Sequence, residues 1–282
     1  MSHKLLFVVN VDWFFLSHRL PIALYAMQQG YQVHLATGLT DKQDELERHG
    51  LVVHPLVLER SSAGLGNAGR TMVQLWKIFR TVQPDVVHLV TIKPVLLGGI
   101  VARLVGVSSV VAAVSGLGFV FTARGARATV RRWLVGALYR LALGHRNVKV
   151  IFQNADDLSS LGKVASLPDA NVAMIRGSGV DLARYVHVPL PGGVPVVTMA
   201  ARLLADKGVL EFVQAARLLR HRGCSARFVL VGTVDTGNPS SFKDSDISAW
   251  ELDGVVEWWG HRTDMPQVMA ESQVVVLPSY RE

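Results

Sequence analysis

Cysteine is almost missing from this chain of 282 residues: Cys224 stands alone. A disulfide framework is thereby excluded, and a reducing compartment is expected. Zinc-ligand spacings are missing as well. The ten histidines form neither H-x-H nor H-E-x-x-H, and no cysteine pair joins them. There is no G-x-S-x-G elbow and no G-x-x-x-x-G-K phosphate loop. Gly177-Ser178-Gly179 lacks the elbow's spacing. One long uncharged run exists, Leu104 to Ala123, but its serines and glycines read as a loop, a buried strand and a glycine turn, not a membrane span. The start, MSHKLLFVVN, has no cleavage site and reads as a buried strand, not a signal peptide.

Negative charge is also unevenly missing. Between Asp85 and Asp156 there is no carboxylate, while nine Lys or Arg occur. Residues 1–190 hold 20 basic and 11 acidic side chains, a net of +9; residues 191–282 hold 9 and 11, a net of −2. This partition points to an anionic partner met by the first half, such as a membrane surface, a phosphorylated lipid or a nucleic acid. Ordinary solvation is the bland alternative.

What is present is a rhythm. KLLFVVN, YQVHLATG, LVVHPLVL, DVVHLVT, SVVAAVS and VKVIFQN read as strands with helical segments between them. A helix is expected from about Arg19 to Gln29, and another after Thr40 as N-cap with Gly50 as its stop. Strands apolar on both faces and separated by helices predict a parallel sheet covered on both sides. YVHVPLPGGVPVV then reads as a linker. The rhythm restarts with PVVTMAARL, a helix through KGVLEFVQAARLLRHRG, ARFVLVG, VVEWWGH and QVVVLPS. The fold class is therefore α/β with two Rossmann-like domains, residues 1–188 and 189–282. The second is expected to be incomplete, because its last strand lacks a covering helix and the domain is small.

Two motifs are weaker than they look. Gly64 to Gly69 satisfies G-x-G-x-x-G, but Glu59 to Ala63 separates it from the preceding strand and no acid lies at the right distance. A loop capping a helix from Thr71 is expected there, rather than a dinucleotide turn. Asp244-Ser245-Asp246 is a D-x-D, yet FKDSDISAWELDG alternates like a solvated helix, so a divalent-metal pair is not expected.

Arg202 and Lys207 in AARLLADKGVLEF are more specific. They fall after a strand end and at a helix start, where two cations make a diphosphate cradle. They would also stabilise a leaving phosphate. The sequence ARLLADKG, VLVG, VVEWWGHRTDM and VVVLPSYRE, in that order, resembles a family 4 glycosyltransferase, a retaining enzyme of the GT-B fold. VDWFFLSHRLP, HLVTIKPVLLGG and SGLGFVF resemble the branch that builds bacterial O-antigen, capsule and related lipid-linked glycans.

The resemblance implies a nucleotide-sugar donor, UDP-linked, held by the second domain, with no metal or other cofactor required. Arg202, Lys207, Gly232, His261 and Glu282 would serve the donor. Glu282 would contact the donor sugar as the first glutamate of the family's paired motif, whose second glutamate is missing. Asp12, His18, His88, Ser115 and Gly116 would line the acceptor side. Many relatives carry a second histidine two places after His88, where this chain has Val90, so His18 or Lys93 would take over the catalytic contact beside Glu282. Arg124, Arg127, Arg131, Arg132 and Trp133 lie on an amphipathic stretch suited to an anionic membrane. The expected setting is therefore the inner face of a bacterial plasma membrane, with a lipid-linked saccharide as acceptor and no nucleic acid partner. The expected chemistry is front-face transfer in which the leaving diphosphate helps to deprotonate the acceptor. A nucleotide-sugar epimerase, a noncatalytic lipid- or partner-binding remnant and a nicotinamide enzyme are the alternatives.

Overall fold

The computed structural model describes residues 2–58, 65–114 and 126–280, without the side chains of 65, 126–133 and 163. The chain divides into two compact units, Met1–Gly179 and Val180–Glu282. The junction falls nine residues earlier than the sequence reading of 188/189. Its physical anchors lie on either side. The Ser178 hydroxyl accepts a hydrogen bond from Arg19 Nη1 at 3.0 Å within the first unit. The Pro191 carbonyl accepts one from Gln273 Nε2 at 2.7 Å within the second.

In the first unit, β1 (Lys4–Val11), β2 (Gln32–Gly38), β3 (Val52–Pro55), β4 (Val86–Val90), β5 (Ser109–Val114), β6 (Val148–Phe152) and β7 (Val172–Met174) form one sheet. The order is β3-β2-β1-β4-β5-β6-β7 and every pairing is parallel. Helices α1 (Asp12–His18), α2 (Leu20–Gln28), α3 (Gln43–Arg48), α4 (Leu65–Val82), α5 (Gly99–Val105), α6 (Ala126–Leu143) and α7 (Ala155–Ala165) connect the strands. Alternation along β1 explains the two layers. Leu6 and Val8 pack in a core with Leu75 and Phe79 of α4 and Tyr139 of α6. Phe7 and Val9 pack on the opposite face with Phe15 of α1, Ala23 of α2 and Leu46 of α3. A strand buried on both faces needs no polar positions, and β1 has none between Leu5 and Val9.

In the second unit, β8 (Val196–Ala200), β9 (Arg227–Val231), β10 (Glu257–Trp258) and β11 (Val274–Val275) make a parallel sheet of order β10-β9-β8-β11. Helices α8 (Val209–His221), α9 (Asp244–Leu252) and α10 (Met265–Ala270) accompany it. Val209, Phe212, Val213 and Ala216 of α8 are buried against Phe228 and Leu230 of β9, as their spacing predicts. Leu219, three residues beyond Ala216, is exposed.

Three sequence expectations need correction. The first helical segment begins at Asp12, not at about Arg19: residues 12–18 form helix α1 directly after β1. Helix α4 begins at Leu65, so Gly66 and Gly69 lie inside a helix well past β3; Gly64 is outside the described residues. That geometry removes the strand–turn–helix a dinucleotide fingerprint requires. Thr40 does not cap α3, whose N-cap position is Lys42; its hydroxyl donates to Asp12 instead. The D-x-D does lie on a helix, α9, where Asp246 accepts from the Lys243 amide at 2.9 Å and so caps it.

Candidate active site

In each sheet the winding direction reverses between two neighbouring strands: β1 and β4 in the first unit, β8 and β11 in the second. Crevices at such switch points, outside the carboxyl ends of the strands, are where open α/β sheets bind ligands. The candidate residues gather at these two edges.

At the edge of the second unit, β8 ends at Ala200 and the chain turns sharply. Arg202 emerges with its side chain 62% exposed, and its Nη1 pairs with Asp235 Oδ2 at 3.0 Å. Leu203 and Leu204 dip into the core. Ala205–Lys207 form one 3-10 turn, and Gly208, at φ +79°, starts α8. A side chain at Gly208 would collide with the Pro278 carbonyl of the segment after β11. One at Gly232, at φ +143°, would collide with the Ala201 carbonyl. These two glycines let the ends of β8, β9 and β11 close around the start of α8. Further bonds hold the loops: Tyr280 N donates to Asp206 O at 3.1 Å, Ser240 Oγ to Asp206 Oδ2 at 3.3 Å, and the Tyr280 hydroxyl to Glu211. That last bond lowers the Glu211 carboxyl and raises the Tyr280 phenol. Gly232 also joins β10, its carbonyl accepting from Trp258 Nε1 and its amide donating to the Gly260 carbonyl, each at 2.8 Å. His261 follows Gly260 and is exposed at the same edge. Arg202, Lys207, Gly232 and His261 thus share one rim, built from the loops after three strands. Glu282 lies outside the described residues.

The edge of the first unit differs from expectation in detail. Asp12 is fully buried and fastens α1 to the loop after β2. Its carboxylate accepts from Thr40 N at 2.6 Å, Thr40 Oγ1 at 2.8 Å and Trp13 N at 2.8 Å. An acceptor-contacting role for Asp12 is thereby corrected to a positioning one in this structure, since its oxygens are occupied and covered. His18 ends α1, stacked on Phe14 with ring centres 4.3 Å apart and with Nδ1 2.6 Å from Ser17 Oγ. Burial pushes its pKa down. His88, expected to line the acceptor side, does not stand at the carboxyl end of β4. It sits inside the strand, 8% exposed, stacked on Phe7 at 5.0 Å, and its Nε2 has no hydrogen-bond partner. Burial, then the Arg19 charge, lowers its pKa to about 3. Lys93 precedes the helical turn Pro94–Gly98 and is partly buried. Ser115, Gly116 and Arg124 lie outside the described residues; Arg127, Arg131, Arg132 and Trp133 fall on α6, but their side chains lie outside them too.

Sequence reasoning missed Arg19, Asp235 and the Tyr280–Glu211 contact. Arg19 lies within VDWFFLSHRLP, but nothing in that segment singled it out, and its burial between α1 and α2 depends on the fold. Asp235 lies 33 residues from its partner, in the loop after β9.

Two doubly wound parallel-sheet units of this kind make up the GT-B fold. The chain belongs to the glycosyl transferase 4-like family, whose profile matches residues 4–154, and a glycosyl transferases group 1 profile matches residues 194–282. It is similar to an N,N'-diacetylbacillosaminyl-diphospho-undecaprenol alpha-1,3-N-acetylgalactosaminyltransferase from Campylobacter jejuni, with 26% identity over 95% of this chain and 74% of the relative. It is also similar to a UDP-Gal:alpha-D-GlcNAc-diphosphoundecaprenol alpha-1,3-galactosyltransferase from Escherichia coli, with 26% identity over 76% of this chain and 56% of the relative. Among solved structures, a glycosyltransferase from Rickettsia africae shares the fold at a TM-score of 0.71 and 15% identity, over 99% of this chain and 73% of that one.

Proposed function

We propose that the chain carries the core of a retaining, metal-independent transferase that moves a sugar from a nucleotide-diphosphate donor to a lipid-linked saccharide for a cell-surface glycan. The observation that carries this reading is the rim of the second unit. Arg202 and Lys207 stand on the loop from β8 to α8, beside the helix start, where Gly208 and Gly232 allow backbone to come close. Two cations at such a point suit a diphosphate, and they take the charge-neutralising part a divalent ion plays elsewhere. Arg202 is free to change partner at low cost. Its bridge to Asp235 is solvent-exposed on both sides, and exposed pairs contribute about 0–1 kcal/mol. A diphosphate brings two charges and several acceptors to the same guanidinium.

In this mechanism Arg202 and Lys207 hold the donor diphosphate and stabilise the charge that develops as the sugar–phosphate bond breaks. The sugar leaves and is attacked on one face, and a leaving phosphate oxygen takes the proton from the acceptor hydroxyl. His261 stands beside the base, and Glu282 holds the sugar. On the first unit, His18 and Lys93 face the acceptor, and Asp12 positions α1. Both named relatives form alpha linkages, which an α-configured nucleotide donor gives by retention. UDP is the donor carrier, in line with the Escherichia coli relative's name.

Binding of UDP to the purified chain, followed calorimetrically, tests the carrying observation. Arg202→Gln or Lys207→Gln is expected to weaken it about tenfold or more, the ~1.4 kcal/mol or more that a charge-assisted contact supplies. UDP affinity unchanged in the double variant would remove the basis of the reading. Product formed from donor without acceptor would instead favour an epimerase.

A further inference from the structure

Arg19 is the most unusual charged side chain among the described residues. It is 5% exposed, it pairs with no carboxylate within the described residues, and it lies at the junction of α1 and α2. Burying a cation without a counter-ion is costly, and burial alone pulls its pKa down. Its hydrogen bonds are lopsided. Nη1 donates to His18 O and to Ser178 Oγ, both at 3.0 Å, so both Nη1 hydrogens are used. Nε is buried and has no partner. The Nε–Nη2 edge, the side of a guanidinium that grips an oxyanion with two parallel bonds, is left unused.

A second polar group nine-tenths buried lies on the same face of the sheet. His88 pairs in register with Phe7 and stacks on it. Phe7 meets Phe15 edge-on at 5.4 Å, and the Phe15 carbonyl accepts the Arg19 amide at 2.8 Å. His88 Nε2 is buried and unpartnered. Two orphaned nitrogens, the Arg19 Nε–H and a His88 ring nitrogen that donates in one of its two tautomers, with one formal positive charge and no carboxylate paired to it among the described residues, suit an anion.

We propose that Arg19, with His88 beside it, forms an oxyanion seat in the first unit that receives a phosphate group, and that the phosphate belongs to the acceptor's lipid diphosphate. The seat follows from these residues alone; the lipid source rests on the proposed function. Arg19 contributes the two-pronged grip and the charge. His88, as a neutral ring, offers an N–H. Ser178 and the His18 carbonyl hold the guanidinium plane in place. The Ser178 contact also ties the seat to the segment that leaves the first unit at Gly179.

Inorganic pyrophosphate is the first probe, titrated into the full chain carrying Arg202→Gln and Lys207→Gln so that the donor-side cations are gone. Binding is expected to persist there and to weaken at least tenfold when Arg19→Gln is added, with Arg19→Lys intermediate because an ammonium lacks the fork. Equal affinity with and without Arg19→Gln overturns the seat. Should Arg19→Gln not fold, the Arg19 15Nε resonance of the chain retaining Arg19 supplies the second readout. A shift on saturation supports the seat, and no shift overturns it. Farnesyl diphosphate distinguishes the sources. Tighter binding than pyrophosphate, still dependent on Arg19, assigns the seat to a lipid diphosphate; equal binding overturns that source and assigns a soluble phosphate. UDP affinity of the chain carrying only Arg19→Gln is expected to be unchanged, so a failed seat and a failed donor site give different results.

Discussion

Besides His18, three histidines on the strands of the first unit have pKa values lowered chiefly by burial. His34 Nδ1 lies 2.9 Å from His54 Nε2, and burial, the His54 ring and Lys4 lower the His34 pKa to about 4. Burial lowers His54 as well, and burial with Arg19 takes His88 to about 3. A folded pKa below the unfolded value of about 6.5 means that the unfolded chain binds protons first. The stabilisation is therefore complete above about pH 6.5 and is lost as pH falls toward about 4 for His34, continuing to about 3 for His88. The loss is on the order of a few kcal/mol for the buried His88 ring and smaller for the half-buried His34–His54 pair, where solvent screens the charge. Urea midpoints measured from pH 7.5 to 4.5 are expected to fall, and His34→Gln is expected to flatten the curve. A midpoint constant across that range would refute the assignment. None of this was legible in the sequence. His34 and His54 are twenty positions apart, and only the register of β2 on β3 makes them neighbours. Asp12 fails to be legible for the same reason: its partner Thr40 is brought to it by the return of β2. Arg202 and Lys207 were legible because a strand end and a helix start are written locally around them.

Glycine separates what an element needs from what a motif suggests. The strands and the buried face of α8 were readable because alternation and the 3.6-residue period survive in single segments. The three-residue β7 has too few positions to show a period, and α1 follows β1 with no loop residue to announce it. At Gly64–Gly69 the letters of a nucleotide fingerprint conceal the first turns of α4. Substitution distinguishes the two readings. Space around Gly66 and Gly69 is open and neither has a positive φ, so Gly66→Ala or Gly69→Ala is expected to stabilise by roughly 0.5–1 kcal/mol each through helix propensity. Gly232→Ala is expected to destabilise by about 2–4 kcal/mol, because its Cβ meets the Ala201 carbonyl at a strained φ. Denaturant midpoints of the three variants check both signs. Destabilisation by either helix variant would return the segment to a glycine-dependent turn.

At the scale of the molecule, the charge partition and one helix surface together motivate a prediction of docking on an anionic membrane. The first half carries the net +9, and the stretch from Asp85 to Asp156 has no carboxylate between them. Within that stretch α6 exposes Leu134, Leu138 and Leu141, at spacings of four and three, so they form one row. Arg103 of α5 reaches the Leu141 carbonyl at 3.4 Å, and Leu104 beside it is largely exposed. The sequence displayed the missing acids, but which leucines face outward only became readable once Tyr139, Ala142 and Leu143 were seen to take the inner face. No helix among the described residues is long and apolar enough to cross a membrane. A row of leucines bordered by cations suits shallow insertion among anionic headgroups, with each buried side chain contributing roughly 1.5–3 kcal/mol at full burial and less at partial depth. Co-sedimentation is expected to show binding to vesicles containing phosphatidylglycerol and much weaker binding to neutral ones. Half-molar salt should weaken the binding by removing the electrostatic share. The triple variant Leu134→Ser, Leu138→Ser, Leu141→Ser should weaken it about tenfold or more at low salt, while UDP affinity, which the proposed function assigns to the second unit, is expected to stay as it was. If the triple variant binds vesicles as well as the unaltered chain, the leucine row is not the docking surface, and the basic charge must act through some other face.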